Sequence, residues 1–274
     1  MSHGVASLPP ARIDEQAWTL ELTLPGPRAA HTVRVSEARA GVARVEGARA
    51  GTVGMLRHLF RLDEDLSRFY AVASEDPDLA WAASGAGRML RAPTVFEDVV
   101  KTICTTNCAW SGTVRMVTAL VEHLGEPARG GGRAFPSPAA VAAAGPEFFR
   151  EVARAGYRGA YLHALAEQVA SGALDLEALN GPDLPDAEVE ARLLALPGVG
   201  PYAAAHVMLT SLGRYSRLVL DSWTRPTYAR LTGRKATDTA IARRFRRYGE
   251  FAGLAFWLML TRGWVPDPEP RPAA

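Results

Sequence analysis

Lysine is almost missing from this chain. Of 31 basic residues only Lys101 and Lys235 carry an amine, so any reaction through a lysine nucleophile has two candidates. Cysteine is as scarce: Cys104 and Cys108, spaced i and i+4, exclude a disulfide framework and any four-cysteine zinc or iron–sulfur site. So few cysteines fit a reducing, cytoplasmic setting. No run reaches the roughly 18 to 20 apolar residues of a membrane span, and the first residues lack a basic stretch followed by an apolar one, so no membrane partner is expected. An excess of one charge is lacking too. The formal net charge is +2, which permits a polyanionic partner without arguing for one. Dinucleotide, P-loop and HExxH motifs are absent, and the histidines at 3, 31, 58, 123, 163 and 206 form no ligand-like pair.

What is present is a globular composition, 274 residues with 48% apolar and 22% charged, enough for one large domain or two modest ones. Residues 18–50 alternate apolar side chains (Trp18, Leu20, Leu22, Leu24, then Val33 and Val35) around Gly/Pro turns, which predicts two to four short antiparallel strands. From Thr52 the spacing lengthens toward 3.6 (Met55, Leu56, Leu59, Phe60). Helices are predicted over 63–73, 76–84, 95–108, 110–125, 137–144, 146–154, 158–171, 175–179, 186–195, 201–212, 222–231, 237–247 and 250–262. The fold class is therefore α+β, mainly α with a small N-terminal antiparallel sheet. The expected layout is a disordered 1–17, a sheet with helices over 18–92, a helical domain over 93–264 and a proline-rich tail over 265–274.

One stretch carries chemistry. In Leu194-Ala195-Leu196-Pro197-Gly198-Val199-Gly200-Pro201-Tyr202 an apolar helix meets a two-glycine hairpin and restarts at a proline suited to a first helical position. Such a helix-hairpin-helix presents backbone amides and a positive dipole end, a grip for phosphates that reads no bases. An ordinary helical hairpin needing glycine for a tight turn reads the same way. Beyond it, the run Leu218-Val219-Leu220 ends at Asp221, 19 residues past Tyr202.

LPGVGPYAA followed by VLDSWTRP resembles the signature of the helix-hairpin-helix (HhH-GPD) DNA glycosylase superfamily. Arg91-Ala92-Pro93-Thr94-Val95-Phe96-Glu97, Ile103-Cys104-Thr105-Thr106-Asn107 and Gly156-Tyr157-Arg158-Gly159-Ala160-Tyr161 are similar to its 8-oxoguanine branch. Phe135-Pro136-Ser137-Pro138 and the aromatic Tyr202 are similar to its 3-methyladenine branch. The resemblance covers roughly residues 18–264. It implies two helical subdomains flanking a cleft, and base excision repair acting on a damaged base flipped out of double-stranded DNA.

It also implies roles. Asp221 is the catalytic carboxylate, opposite a developing oxocarbenium charge and beside the attacking water; an N-cap aspartate for the helix bearing Trp223 is compatible with that. Bifunctional members carry a lysine where this chain has Tyr202, so a monofunctional enzyme without lyase activity is expected. Lys101 and Lys235 are read as solvated surface residues. Tyr202, His206, Trp223, Phe256 and Trp257 are expected to line the base pocket, an aromatic set suited to cationic alkylated purines, although an aromatic core stripe accounts for any one of them. The family uses an amide at Phe256 and an aromatic at Leu260 to read oxidised guanine, a departure that argues against that lesion.

Asn107, Gly198, Val199, Gly200, Tyr157 and Arg158 are assigned to DNA contact, with a helix C-cap as the other reading of Asn107. Trp110 reads as wedge or core. Carbonyls of Leu194, Leu196 and Val199 are expected to hold Na⁺ or K⁺; no other cofactor and no iron–sulfur cluster is required. Arg243, Arg244, Arg246 and Arg247 form a basic cluster, either a solvated face or a phosphate rim, and Pro226 is expected to kink or delay its helix. The protein is expected to be a cytoplasmic monomer, nucleoid-associated if bacterial. An 8-oxoguanine-type enzyme and a non-catalytic hairpin DNA-binding module are the alternatives.

Overall fold

The computed structural model describes residues 2–26, 28–129 and 131–264; the proline-rich tail, 265–274, lies outside the described residues. Strands β1 (Ala11–Asp14), β2 (Thr19–Leu24), β3 (His31–Arg39) and β4 (Val42–Glu46) form an antiparallel meander in the order β1-β2-β3-β4. Its register pairs Leu22 with Val33 and Leu20 with Val35. The period-2 alternation thereby turns Leu22, Leu24, Val33 and Val35 onto Leu56 and Leu59 of helix α1 (Thr52–Leu59).

The other helices are α2 (Ser67–Ser74), α3 (Val95–Thr105), α4 (Trp110–Leu124), α5 (Pro138–Ala143), α6 (Gly145–Glu147), α7 (Arg158–Ala170), α8 (Asp186–Leu194), α9 (Pro201–Val207), α10 (Thr224–Thr232), α11 (Asp238–Phe245) and α12 (Ala252–Thr261). They build two apolar cores. One gathers Val99, Ile103, Leu120, Leu162 and Leu193 from α3, α4, α7 and α8; the other gathers Phe69, Tyr228, Phe245 and Phe256 from α2, α10, α11 and α12. Helix α9, extended by a π turn through Met208–Leu212, runs between them. Ala203 and Ala204 belong to the first core, Ala205 and Leu209 to the second. The alanine run follows from this, because a helix buried on all sides admits small side chains where its neighbours come close. Tyr202 packs against both cores, so the N-terminal end of α9 marks the seam.

Several expectations need correction. Residues 2–17 are ordered, not disordered: a 3-10 turn at Gly4–Ser7 puts Val5 and Leu8 into the first core before β1 begins. Two apolar side chains in ten residues give no periodic signal, yet they fill the gap beside α3. Helix α1 falls outside the predicted helical ranges. Lys101 is no surface residue. It is 4% exposed, its Nζ lies 2.6 Å from Glu97 Oε1 and 5.5 Å from the centre of the Phe135 ring. Pro226 does not kink its helix, because α10 starts at Thr224 and the proline falls in the first turn, where no intrahelical amide is needed.

Candidate active site

The seam opens as a cleft of about 990 Å³. Its hairpin wall follows α8. Gly198 takes φ +76°, and a Cβ there would lie 2.7 Å from the Tyr161 ring, so glycine is required twice over. Gly200 precedes α9, whose Pro201 occupies the first turn. The Leu196 carbonyl accepts the Val199 amide at 3.2 Å. Among the described residues no donor reaches the carbonyls of Leu194 and Val199, the unsatisfied acceptors expected past a helix C-terminus. No group of three or more His, Cys, Asp or Glu suited to a metal occurs among the described residues.

Asp221 sits across the cleft. Its Oδ1 accepts the amides of Trp223 and Thr224 at 2.8 and 2.6 Å, and its own amide donates to Thr224 Oγ1 at 2.8 Å. The cap and the candidate catalytic group are therefore one residue: backbone donors fix one oxygen, while no protein donor reaches Oδ2 among the described residues. Tyr202 OH lies 3.1 Å from Thr105 Oγ1. Burial pushes the phenol's pKa up and the Asp221 charge adds to it, outweighing the Thr105 bond, so Tyr202 faces the cleft as a neutral phenol.

Aromatic rings complete the walls. Trp223, Trp257 and Trp264 have mutual centroid distances of 5.5 to 6.1 Å. His206 lies one helical turn from Tyr202, their rings 5.9 Å apart, and burial lowers its pKa to about 4. Phe256 does not belong here. It is fully buried in the second core, 5.1 Å from Phe245 and 6.2 Å from Tyr228. Neighbouring helical residues point about 100° apart, so the face that turns Trp257 to the cleft sends Phe256 inward.

At the mouth, Asn107 takes φ +44° and its Nδ2 donates to Tyr157 OH at 3.2 Å. Tyr157 is 53% and Trp110 47% exposed, so Trp110 is a rim residue and not core. Arg158, assigned to DNA contact, is instead 7% exposed. Its guanidinium donates to the carbonyls of Thr106, Asn107 and Ala155, holding the turn that presents Asn107. Of the four-arginine cluster, Arg244 pairs with Asp78 and Arg247 with Asp76, and none of the four lines the cleft. Arg225 lines it, with its guanidinium on both oxygens of Asp238. Gly4, Val5, Thr105 and Trp264 also line it and were not anticipated. Trp264, seven residues beyond Trp257 on one helical face, had a readable signal; Gly4 and Val5 had none.

A glycine hairpin facing a capped aspartate across a cleft between two helical cores defines the helix-hairpin-helix DNA glycosylase fold. No family model matches the chain. It is 32% identical over 206 residues to the N-glycosylase/DNA lyase OGG1 of Arabidopsis thaliana, over 68% of this chain and 55% of that protein. It is 26% identical over 169 residues to a DNA-3-methyladenine glycosylase of Bacillus subtilis (strain 168), over 60% of this chain and 55% of that one. The chain thus spans about half the length of the curated relatives it matches. The 8-oxoguanine glycosylase/lyase of Clostridium acetobutylicum, solved with DNA containing cytosine opposite 8-oxoG, superposes with a TM-score of 0.74 at 21% identity, covering 96% of this chain and 92% of that one. The chain has the helix-hairpin-helix DNA glycosylase fold, and its relatives and structural neighbours are DNA glycosylases of both the 3-methyladenine and the 8-oxoguanine types.

Proposed function

We propose that the chain is a monofunctional DNA N-glycosylase of base excision repair that hydrolyses the N-glycosidic bond of an alkylated purine flipped from double-stranded DNA. The observation that carries this reading is the Asp221 carboxylate, anchored through Oδ1 and open at Oδ2, across an aromatic cleft lined by Tyr202, at the position where the resemblance puts a lysine in bifunctional members. Asp221 orients water toward C1′ of the sugar and takes its proton; the C–N bond breaks as charge builds on the sugar, which the carboxylate opposes. A cationic N-alkyl purine leaves as a neutral base and needs no further acid. Trp223, Trp257, Trp264 and Tyr202 offer stacking and cation–π attraction to such a base.

Gly198, Val199 and Gly200 grip a phosphate of the bound strand, with Asn107, Tyr157 and Trp110 filling the space that the base vacates. The carbonyls of Leu194, Leu196 and Val199 suit a Na⁺ or K⁺ ion that would bridge the hairpin to that phosphate. The enzyme acts as a monomer, with a sheet-bearing region that begins at β1, before residue 18, and the catalytic region over 93–264. Among the described residues no helix is long and apolar enough to cross a membrane.

The test uses labelled duplexes with a single hypoxanthine, 1,N6-ethenoadenine, 8-oxoguanine or uracil, plus methylated DNA, each with and without alkali. Strand cleavage only after alkali, with release of an alkylated base, supports the reading. Release of 8-oxoguanine supports the second reading, which the higher identity to the Arabidopsis protein favours. Duplex binding without excision of any base supports a binding module.

A further inference from the structure

The floor of the cleft is made by the start of the chain, which no motif of the hairpin region involves. Gly4 and Val5 line the cleft. Ser2 is tied on both sides: its carbonyl accepts the Trp257 indole N–H at 3.0 Å, and its Oγ accepts the Leu90 amide at 3.1 Å. His3 between them is 1% exposed. Its Nε2 donates to the Leu90 carbonyl at 2.6 Å, and its ring stands edge-on to His206, 5.8 Å away at 83°. That bond assigns the proton to Nε2 and leaves Nδ1 a bare acceptor, buried with no partner.

Behind His3 lies a different environment. A small cavity of about 40 Å³ is lined by His3 together with Glu97, Asp98, Lys101 and Arg91. Its charges are buried ones: the Glu97–Lys101 pair at 2.6 Å, and Asp98, whose Oδ2 accepts the Ala92 amide. On the other side is His206, whose neighbours are uncharged on every element packed against it. Thr102 of α3 and Thr210 of the π turn have hydroxyls 3.4 and 3.5 Å from its Nδ1, Tyr202 is one turn back, and Trp257 of α12 is 6.3 Å away. Among the described residues no carboxylate bonds the ring, and Nε2 is the nitrogen left for a base in the cleft.

We propose that His3 is a positioning residue: backing the His206 ring, it partitions the ionic chamber from the floor of the cleft and keeps chamber water from the side of His206 that faces away from a flipped base. Titration behaviour agrees. Burial, then His206, Arg61 and Lys101 together lower His3 to about 3 against the opposing Leu90 bond, and burial lowers His206 to about 4. A protonated floor would repel a cationic purine, whereas a neutral one stacks with it. The partition thus determines which bases the cleft accepts in mild acid, and in that consequence it rests on the alkylated-purine reading.

The experiment compares wild type with His3→Ala, His3→Phe and His206→Gln over pH 5 to 8. Two readouts are taken: imidazole NMR titration of the free enzyme, and single-turnover release of 7-methylguanine (cationic) relative to hypoxanthine (neutral). Wild-type His206 is expected not to titrate above pH 5, with a flat release ratio. In His3→Ala, water reaches the ring, His206 titrates near the ordinary value of about 6.5, and the ratio falls up to about tenfold per pH unit below it, the slope of a single proton. His3→Phe, which restores a ring without the donor, restores the flat ratio. If His3→Ala does not fold, wild type and His3→Phe carry the test. Wild-type titration of His206 near 6.5, or an acid limb in wild type that His206→Gln removes, overturns the proposal. The NMR arm needs no substrate: a flat His206 titration with no base released supports the partition and rejects the alkylated-purine reading instead.

Discussion

The cleft, lined by His206, and the chamber, lined by His3, adjoin where these two rings stand edge-on, and they use charge in opposite ways. In the cleft, Asp221 has an oxygen without a protein donor and is surrounded by Tyr202, His206 and three tryptophans. In the chamber, Glu97, Asp98 and Lys101 are each under 5% exposed and mutually compensated. The contrast separates two uses of an ionisable group. A charge closed in by partners ties elements together, whereas an anion with one oxygen open to an aromatic cleft is the arrangement that the proposed glycosidic cleavage requires. Lys101, the buried amine, is on the structural side.

The largest effect expected from breaking this contrast is at Asp221. Asp221→Asn keeps an acceptor for the Trp223 and Thr224 amides but removes the charge, and should lower single-turnover excision by about 10²- to 10⁴-fold while duplex affinity in a gel-shift assay is retained. On the chamber side the prediction reverses. Lys101→Met leaves Glu97 buried without its partner and should destabilise the fold by about 3–5 kcal/mol in urea unfolding, with excision per folded molecule within about twofold of wild type; Lys101→Met with Glu97→Leu should recover most of the loss. A large excision defect in that stable double variant would place Lys101 in the reaction.

The boundary itself is sharpened by pH. His3 and His206 have folded values of about 3 and 4, below the ordinary 6.5, so the unfolded chain binds their protons first. The stability they contribute is complete above about pH 6.5 and is lost as pH falls toward those folded values, by up to about 1.4 kcal/mol per histidine per pH unit. Chemical denaturation at pH 7, 6 and 5 reads it, and His206→Gln should flatten the slope by about one proton. The smallest effect is at the cleft rim: Trp264→Ala should weaken capture of a cationic base by about 0.5–2 kcal/mol, appearing in KM more than in kcat.

The parts of the molecule that could be read from sequence are those whose residues lie close together along it. Gly198, Gly200, Pro201 and Asp221 fall within 24 positions and meet across the cleft, and the alternation of Leu20, Leu22 and Leu24 survives as β2. What escaped depends on distance or on facing. His3 meets His206 across some 200 residues, with no period to announce it. Helix α12 is apolar on all sides from Ala252 to Leu260, so nothing in its pattern distinguishes Trp257, turned to the cleft, from Phe256, turned to the core. Arg158 follows a Gly-Tyr turn that in the sequence suggests DNA contact, yet it opens α7 and carbonyls at Thr106 and Asn107 take up its donors. Lys101 was recoverable in principle, since Glu97 stands four residues before it, one helical turn away on a helix rich in apolar residues.

The most direct test of the account is reductive trapping: wild-type enzyme and a lesion duplex from which it releases base are incubated with borohydride, which would fix any imine between protein and sugar. The account predicts free base, an alkali-labile abasic strand and no covalent protein–DNA adduct, because in the proposed reaction Asp221 directs water, and among the described residues no lysine lines the cleft. An adduct forming at the rate of base release, mapped to Lys101 or any other amine, would contradict it.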